Sequence, residues 1–199
     1  KIIFYFIHIP SYKFYGGVFV KKIKVNFQKE LAYVELAQFL KDYIDDTTII
    51  ICIGTDRCIG DSLGPIVGSM LINKFFPLTV YGNIKTPIHA LNLEKQLKLI
   101  KEKHPDNNII AIDACLGDDN SIGDIQVRNQ PISPGKGVGK NLPDVGNISI
   151  VGIVDSCDNT EFFTNRSTRL DLIIDMSSVI VNTILYAYCL NHKENGTFI

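Results

Sequence analysis

The sequence predicts an α/β fold, a three-layer α/β/α sandwich in which helices cover both faces of a mainly parallel sheet. Three observations carry this. Thr47 to Ile53 is a β-branched run that is apolar on both faces, as a strand buried between two layers must be. Asn107 to Asp113 repeats that pattern. Stretches with helical spacing alternate with these strands, and such alternation builds a parallel sheet between helical layers. The 199 residues can bury a sizeable core, and no internal repeat or second domain is visible. One domain over 1–199 is therefore expected, with 1–25 as an N-terminal extension.

Composition narrows the function classes. Hydrophobic residues make up 46% of the chain and the formal net charge is −1, so nothing points to nucleic acid or an anionic membrane as partner. The cysteines, Cys52, Cys58, Cys115, Cys157 and Cys189, are odd in number and form no Cys-x-x-Cys pair. That suits reduced thiols in a cytosolic protein, not a disulfide framework or a zinc site.

Taken in order, the chain opens with the apolar run Ile2 to Ile9, broken by His8 and closed by Pro10. It is too short to span a bilayer and weak as a signal peptide. Tyr12, Phe14, Tyr15 and Phe19 flank Gly16-Gly17, which suits a hairpin turn, so an edge strand or a contact between copies is expected. Asn26 to Tyr43 carries Phe27, Leu31, Val34, Phe39, Leu40 and Tyr43 among charged residues, predicting an amphipathic helix capped by Asn26. The strand Thr47 to Ile53 ends at Gly54, and a polar loop with Asp56, Arg57 and Asp61 follows. Leu63, Ile66, Val67, Met70 and Leu71 form a helical stripe.

Leu78 to Tyr81 predicts a second strand, Gly82 to Asn92 a loop holding His89, and Leu93 to Lys103 a helix burying Leu93, Leu97 and Ile100. After Asp113, the Gly117 to Gly123 loop lacks the ligand ladder and closing Glu of a calcium site. Asp124 to Arg128 predicts a strand with one wet face. Pro131 to Gly146 is the longest aperiodic segment. Its Gly135 to Lys140 stretch fails as a phosphate loop: the glycine spacing is one residue short and Asn141 stands where Ser or Thr binds magnesium. It reads either as a flexible connection or as a lid, with Lys136 and Lys140 facing an acidic or carbonyl-rich substrate. Ile148 to Val154 predicts a buried strand, Asp158 to Thr164 a short helix, Leu170 to Leu190 a long packed helix and His192 to Ile199 a frayed tail. The apolar stretch Val179 to Leu190 is too short for a membrane span.

Chemistry gathers after the buried strands, because open α/β sheets bind ligands at the carboxyl ends of their strands. Alone, Asp61 between Gly60 and Ser62 reads as a helix N-cap. Asp113 changes that reading, since two parallel strands of one sheet would bring both acids to the same rim. Neighbouring carboxylates share a proton, so one acts as base toward water while the other protonates a carbonyl oxygen or a leaving nitrogen. That is peptide hydrolysis without a covalent intermediate. His89 is either a loop hydrogen-bonder or a contact to substrate. Asp56 and Arg57 pair with each other, or Arg57 holds one acid ionised, or both meet substrate. Cys58 and Cys115 flank the acids, but carboxylates disfavour a thiolate, so packing is expected of them.

The phrases Ile53-Gly54-Thr55-Asp56-Arg57, Gly60-Asp61-Ser62-Leu63-Gly64-Pro65, His89-Ala90-Leu91-Asn92-Leu93 and Ala111-Ile112-Asp113-Ala114-Cys115-Leu116-Gly117 resemble the YyaC family of sporulation proteins. So do Gly135-Lys136-Gly137-Val138 and Leu142-Pro143-Asp144-Val145-Gly146, and the likeness runs in order from Ile49 to Val181. That family is related to the spore germination protease and, more distantly, to the hydrogenase maturation proteases. The resemblance implies a phosphorylase/hydrolase-like sandwich and a peptidase of the sporulating cell or forespore cytoplasm, acting on a peptide or a spore protein. The essential aspartates of the germination protease map onto Asp61, before Leu63-Gly64-Pro65, and onto Asp113, within Ile112-Asp113-Ala114. The maturation proteases hold nickel at corresponding acids with a later histidine. Here His192 alone follows Asp113, so no metal and no cofactor is expected. Two alternatives stand beside the peptidase: a metal-dependent maturation-type protease, and a non-catalytic sporulation factor that binds a peptide or small ligand. A homo-oligomer is compatible with each.

Overall fold

Seven strands join in one sheet among the residues that the computed structural model describes, which are 11–15, 18–134, 142–156 and 168–194. They are β1 (Ser11–Tyr15), β2 (Val18–Asn26), β3 (Ile49–Cys52), β4 (Val80–Tyr81), β5 (Ile109–Gly117), β6 (Asp124–Arg128) and β7 (Ile148–Ser156). Their spatial order is β1-β2-β6-β7-β5-β3-β4. β7, β5, β3 and β4 pair in parallel, whereas β6 on β7, β2 on β6 and β1 on β2 are antiparallel. Those pairings make β2 run with the four parallel strands, so β6 and β1 alone oppose the common direction.

Two apolar cores flank this sheet. On one face α1 (Ala32–Leu40), α2 (Leu63–Asn73) and α4 (Leu170–Glu194) set Leu36, Leu40, Val67, Leu71, Ile180 and Ile184 against Ile50, Cys52, Ile110, Ile112 and Ile150. On the other, α3 (Leu93–Lys103) sets Leu93, Leu97 and Ile100 against Ile49, Ile51, Ile109, Ala111 and Val151. Successive residues of β3 and β5 therefore enter opposite cores, as the pleat requires. This is why neither strand has a polar face, and it makes the protein a three-layer α/β/α sandwich.

Several boundaries depart from the sequence reading. Asn26 ends β2 and caps no helix: its Nδ2 donates to Asp124 Oδ1 (3.0 Å) and its Oδ1 accepts the Gln28 N–H (3.1 Å). The helix begins only at Ala32, after Leu31 in the left-handed region (φ 57°). The predicted hairpin is present as the antiparallel pair β1 and β2, with Tyr15 opposite Val18 and β1 at the sheet edge. β5 runs four residues past Asp113, because β7 offers it a partner beyond the end of β3. The tail expected from His192 is wrong at its start. His192 is buried in the last turn of α4, where its ring bonds Asp46 Oδ1 (3.0 Å) and the Tyr188 carbonyl (2.9 Å). By length and composition α4 qualifies as a membrane-crossing segment. Its apolar side, Ile173, Met176, Ile180, Ile184 and Ala187, is buried in the core instead. The predicted helix over 158–164 lies outside the described residues.

Candidate acid pair at the carboxyl edge

Asp61 sits in a short 3-10 turn, Gly60–Ser62, between β3 and α2. Backbone bonds close this loop on itself. The Thr55 N–H donates to the Asp61 carbonyl (2.9 Å) and the Asp61 N–H donates to the Cys58 carbonyl (3.1 Å). Two glycines let the turn lie directly on the strand end. Gly54 has φ +134°, and a Cβ on it would stand 2.0 Å from the Asp61 carbonyl oxygen. A Cβ on Gly64 would stand 2.1 Å from the Ile53 carbonyl oxygen. Leu63 then fills the space above Gly152 of β7, drawing the turn across the sheet toward β5. The N-cap role that Asp61 suggested is not taken up: neither the turn nor α2 has a side-chain cap bond.

Asp113 is reached by the other route, through sheet register. Pairing between β3 and β5 ends at Cys52 opposite Ile112, and the Ile53 N–H donates to the Ile112 carbonyl (2.7 Å). The next residue is Asp113, which pairs with Val151 of β7 alone. Its Oδ1 accepts the Ala114 N–H (2.9 Å). Pleat alternation sets it on the side of Ile109 and Ala111, facing the α3 layer.

Both acids keep part of their surface accessible, yet each is set deep enough for desolvation to dominate. Burial raises Asp61 to about 6, against a smaller pull from the Thr55 N–H. Burial pushes Asp113 well above the usual carboxylate range; the Asp61 charge adds to this, and the Ala114 N–H opposes it. The two carboxyls, 52 positions apart in the chain, thus share one electrostatic neighbourhood. Burial thus favours the neutral form of both acids, and the neighbouring Asp61 charge favours it further at Asp113.

The remaining candidates lie at varying distance from this chemistry. His89 follows Ile88, which bridges to Ile53 and accepts the Gly54 N–H (2.8 Å), so it stands on the same rim. Its Nδ1 accepts the Leu91 N–H (3.3 Å), and its own N–H donates to Asn92 Oδ1 (2.8 Å). Asp56 and Arg57 are exposed on the loop that carries Asp61. Among the described residues they form no ion pair with each other or with another side chain, and Arg57 does not shift either acid. Lys136 and Lys140 lie outside the described residues. Cys52 is buried, with its thiol pushed up by desolvation, and Cys58 and Cys115 are half-buried beside the acids. Among the described residues no three His, Cys, Asp or Glu side chains cluster in a way that would hold a metal.

One acid escaped the sequence reading. Asp155, near the end of β7, is buried; its Oδ1 accepts the Ser156 N–H (2.8 Å) and its Oδ2 accepts the Thr168 hydroxyl (2.9 Å). It ties the end of β7 to the residues that open α4. The signal was present: Val154-Asp155-Ser156 repeats the strand-end acid of Ile112-Asp113-Ala114.

Fold and rim together define a class, an α/β/α protein with two electrostatically coupled aspartates at the carboxyl edge of its parallel strands. Within that class the chain belongs to the family described as "Protein of unknown function (DUF1256)", whose model matches residues 24–183. It is 41% identical over 148 residues to "Uncharacterized protein YyaC" of Bacillus subtilis (strain 168), a stretch covering 73% of this chain and 71% of that one.

Proposed function

We propose that the chain is an aspartate-dependent peptidase related to the spore germination protease, acting on a peptide or spore protein in the cytoplasm of a sporulating cell or forespore. The observation that supports it most is the coupling of the two acids, in which the charge of Asp61 helps hold the proton on Asp113. In this reading ionised Asp61 takes a proton from an attacking water. Protonated Asp113 polarises the substrate carbonyl oxygen and then passes its proton toward the leaving nitrogen. Positioned proton donors and acceptors each contribute roughly 10²–10⁴-fold, so losing either nearly silences the reaction. In the same reading His89, Asp56 and Arg57 contact the substrate backbone and its charged groups.

The test is cleavage of small acid-soluble spore proteins by the purified protein beside Asp61→Asn and Asp113→Asn. Cleavage by the wild type, with both variants reduced at least about 10²-fold, is expected. Equal cleavage by all three would remove the acid pair from the mechanism. No cleavage by any of them, with a peptide still bound, would make the protein a binding factor.

A further inference from the structure

Lys22 and Arg128 face each other across β2 and β6, and like charges directly opposite one another destabilise a sheet. They continue a row that crosses the sheet: Ile51 of β3 pairs with Ala111, Ala111 with Ser149, Ser149 with Arg128, and Arg128 with Lys22. The residues between them and along the same strands, Ile23, Val25, Ile125 and Val127, lie in the core under α1 and α4, so the pleat turns both cations to the α3 side. On that side the row passes from apolar to cationic. Neither β2 nor β6 is an edge strand, so a guard against edge-to-edge pairing does not account for the two charges.

The Arg128 guanidinium is held in place. Its Nε donates to the Ser149 hydroxyl (2.9 Å), and Ser149 is fully buried. That bond occupies one of the five guanidinium donors and leaves those of the two terminal nitrogens without an acceptor among the described residues. Neither terminal nitrogen is sealed from solvent. Lys22 is half-buried beside it, and among the described residues no carboxylate pairs with either cation. The acid on the same face of β6, Asp124, is taken by Lys24 (2.7 Å) and Asn26 (3.0 Å). Gln126, also half-buried, stands between Asp124 and Arg128 on that face. Partly desolvated charges of one sign are costly unless an opposite charge joins them.

We propose that Arg128 and Lys22, with Gln126 beside them, form a binding site for a phosphate dianion, either free or as the end group of a phosphate monoester. The charge fixes the class. Two uncompensated cations match a dianion, whereas a carboxylate or a phosphodiester, with a single charge, leaves one of them unbalanced. The guanidinium fork suits two phosphate oxygens, and the Lys22 ammonium meets a third as a point charge. The site draws on none of the residues of the peptidase reading and stands or falls apart from it.

The experiment titrates the full chain by calorimetry with methyl phosphate, dimethyl phosphate and inorganic phosphate, at about pH 8 so that the monoester is a dianion, and at an ionic strength held constant with chloride. Methyl phosphate is expected to bind at least about 10-fold tighter than dimethyl phosphate and to raise the unfolding temperature. Arg128→Lys keeps the charge and loses the fork, while Lys22→Gln loses a charge. Each should weaken methyl phosphate at least about 10-fold. In the absence of phosphate, Lys22→Gln should unfold at a higher temperature than the wild type, because the opposed charges are relieved, so its weaker binding cannot be put down to a damaged fold. Inorganic phosphate that binds as tightly as methyl phosphate assigns the site to the free ion, and weaker binding assigns it to a monoester. Binding of neither ester, equal binding of both, or methyl phosphate binding undiminished in the two variants would overturn the inference.

Discussion

Asp61 and Asp113 are placed against their own solvation, and that has a measurable consequence for stability. Asp61 titrates at about 6 in the folded protein against 3.8 ordinarily, because burial disfavours its charge. Between those values the folded protein holds a proton that the unfolded chain has released, so this residue's contribution to stability falls as pH rises through the window. Asp61→Asn removes the charge. It should leave stability unchanged near pH 4 and raise it by about 1–3 kcal/mol at pH 8, read from urea unfolding at both values. Activity should move the other way, with the acid limb of kcat/KM near pH 6 following protonation of Asp61. A group that destabilises the fold and is required for function is what an active-site acid is expected to be. Both aspartates were legible, Asp113 as the acid that closes an apolar run and Asp61 as an acid in the polar loop that follows one. His192 was not, because its burial depends on Asp46, 146 positions away, and no local pattern reports that contact.

At the scale of elements, the site depends on how closely α2 and its preceding turn approach β3 and β4. Gly68 would place a Cβ 1.9 Å from the Gly82 carbonyl oxygen, and Gly82 itself has φ +81°. Gly68→Ala should push α2 off the sheet edge and destabilise the protein by about 1–3 kcal/mol, the usual range for overpacking, measured by thermal or denaturant unfolding. Gly54→Ala combines a forbidden φ with a collision at Asp61. It should lower peptide cleavage at least as strongly as it lowers stability, whereas Gly68→Ala should affect stability first. The opposite sign is expected at Ser177, whose buried hydroxyl has no partner among the described residues. Ser177→Ala should stabilise α4 packing by about 1 kcal/mol, since an unsatisfied buried polar group is removed with little change of volume. Gly54 was legible in the sequence as the end of its strand. Which backbone atoms the glycines admit is tertiary information. The start of α1 was misjudged for a similar reason: Asn26 resembles a cap in isolation, but pairing with β6 holds it in a strand.

Across the whole molecule, the parallel half of the sheet was the legible half. β3, β5 and β7 are buried on both faces and announce themselves as unbroken apolar runs, while the addition of β6, β2 and β1 on antiparallel pairings depends on partners far along the chain. Hydrogen exchange should follow the same division. The amides of β5 and β7 should exchange slowest and those of β1, at the edge, fastest, with protection rising inward across β2 and β6. The organisation of the protein brings two distant acids to one rim by combining strand register for Asp113 with a glycine-lined turn for Asp61. The most direct test of that convergence is a carboxyl-carbon NMR titration of the wild type and Asp61→Asn, following the Asp113 resonance. The account predicts an Asp113 midpoint well above the ordinary carboxylate range that moves down once the Asp61 charge is removed. An Asp113 midpoint that does not respond to Asp61→Asn would contradict it, because the two groups would then not share a site.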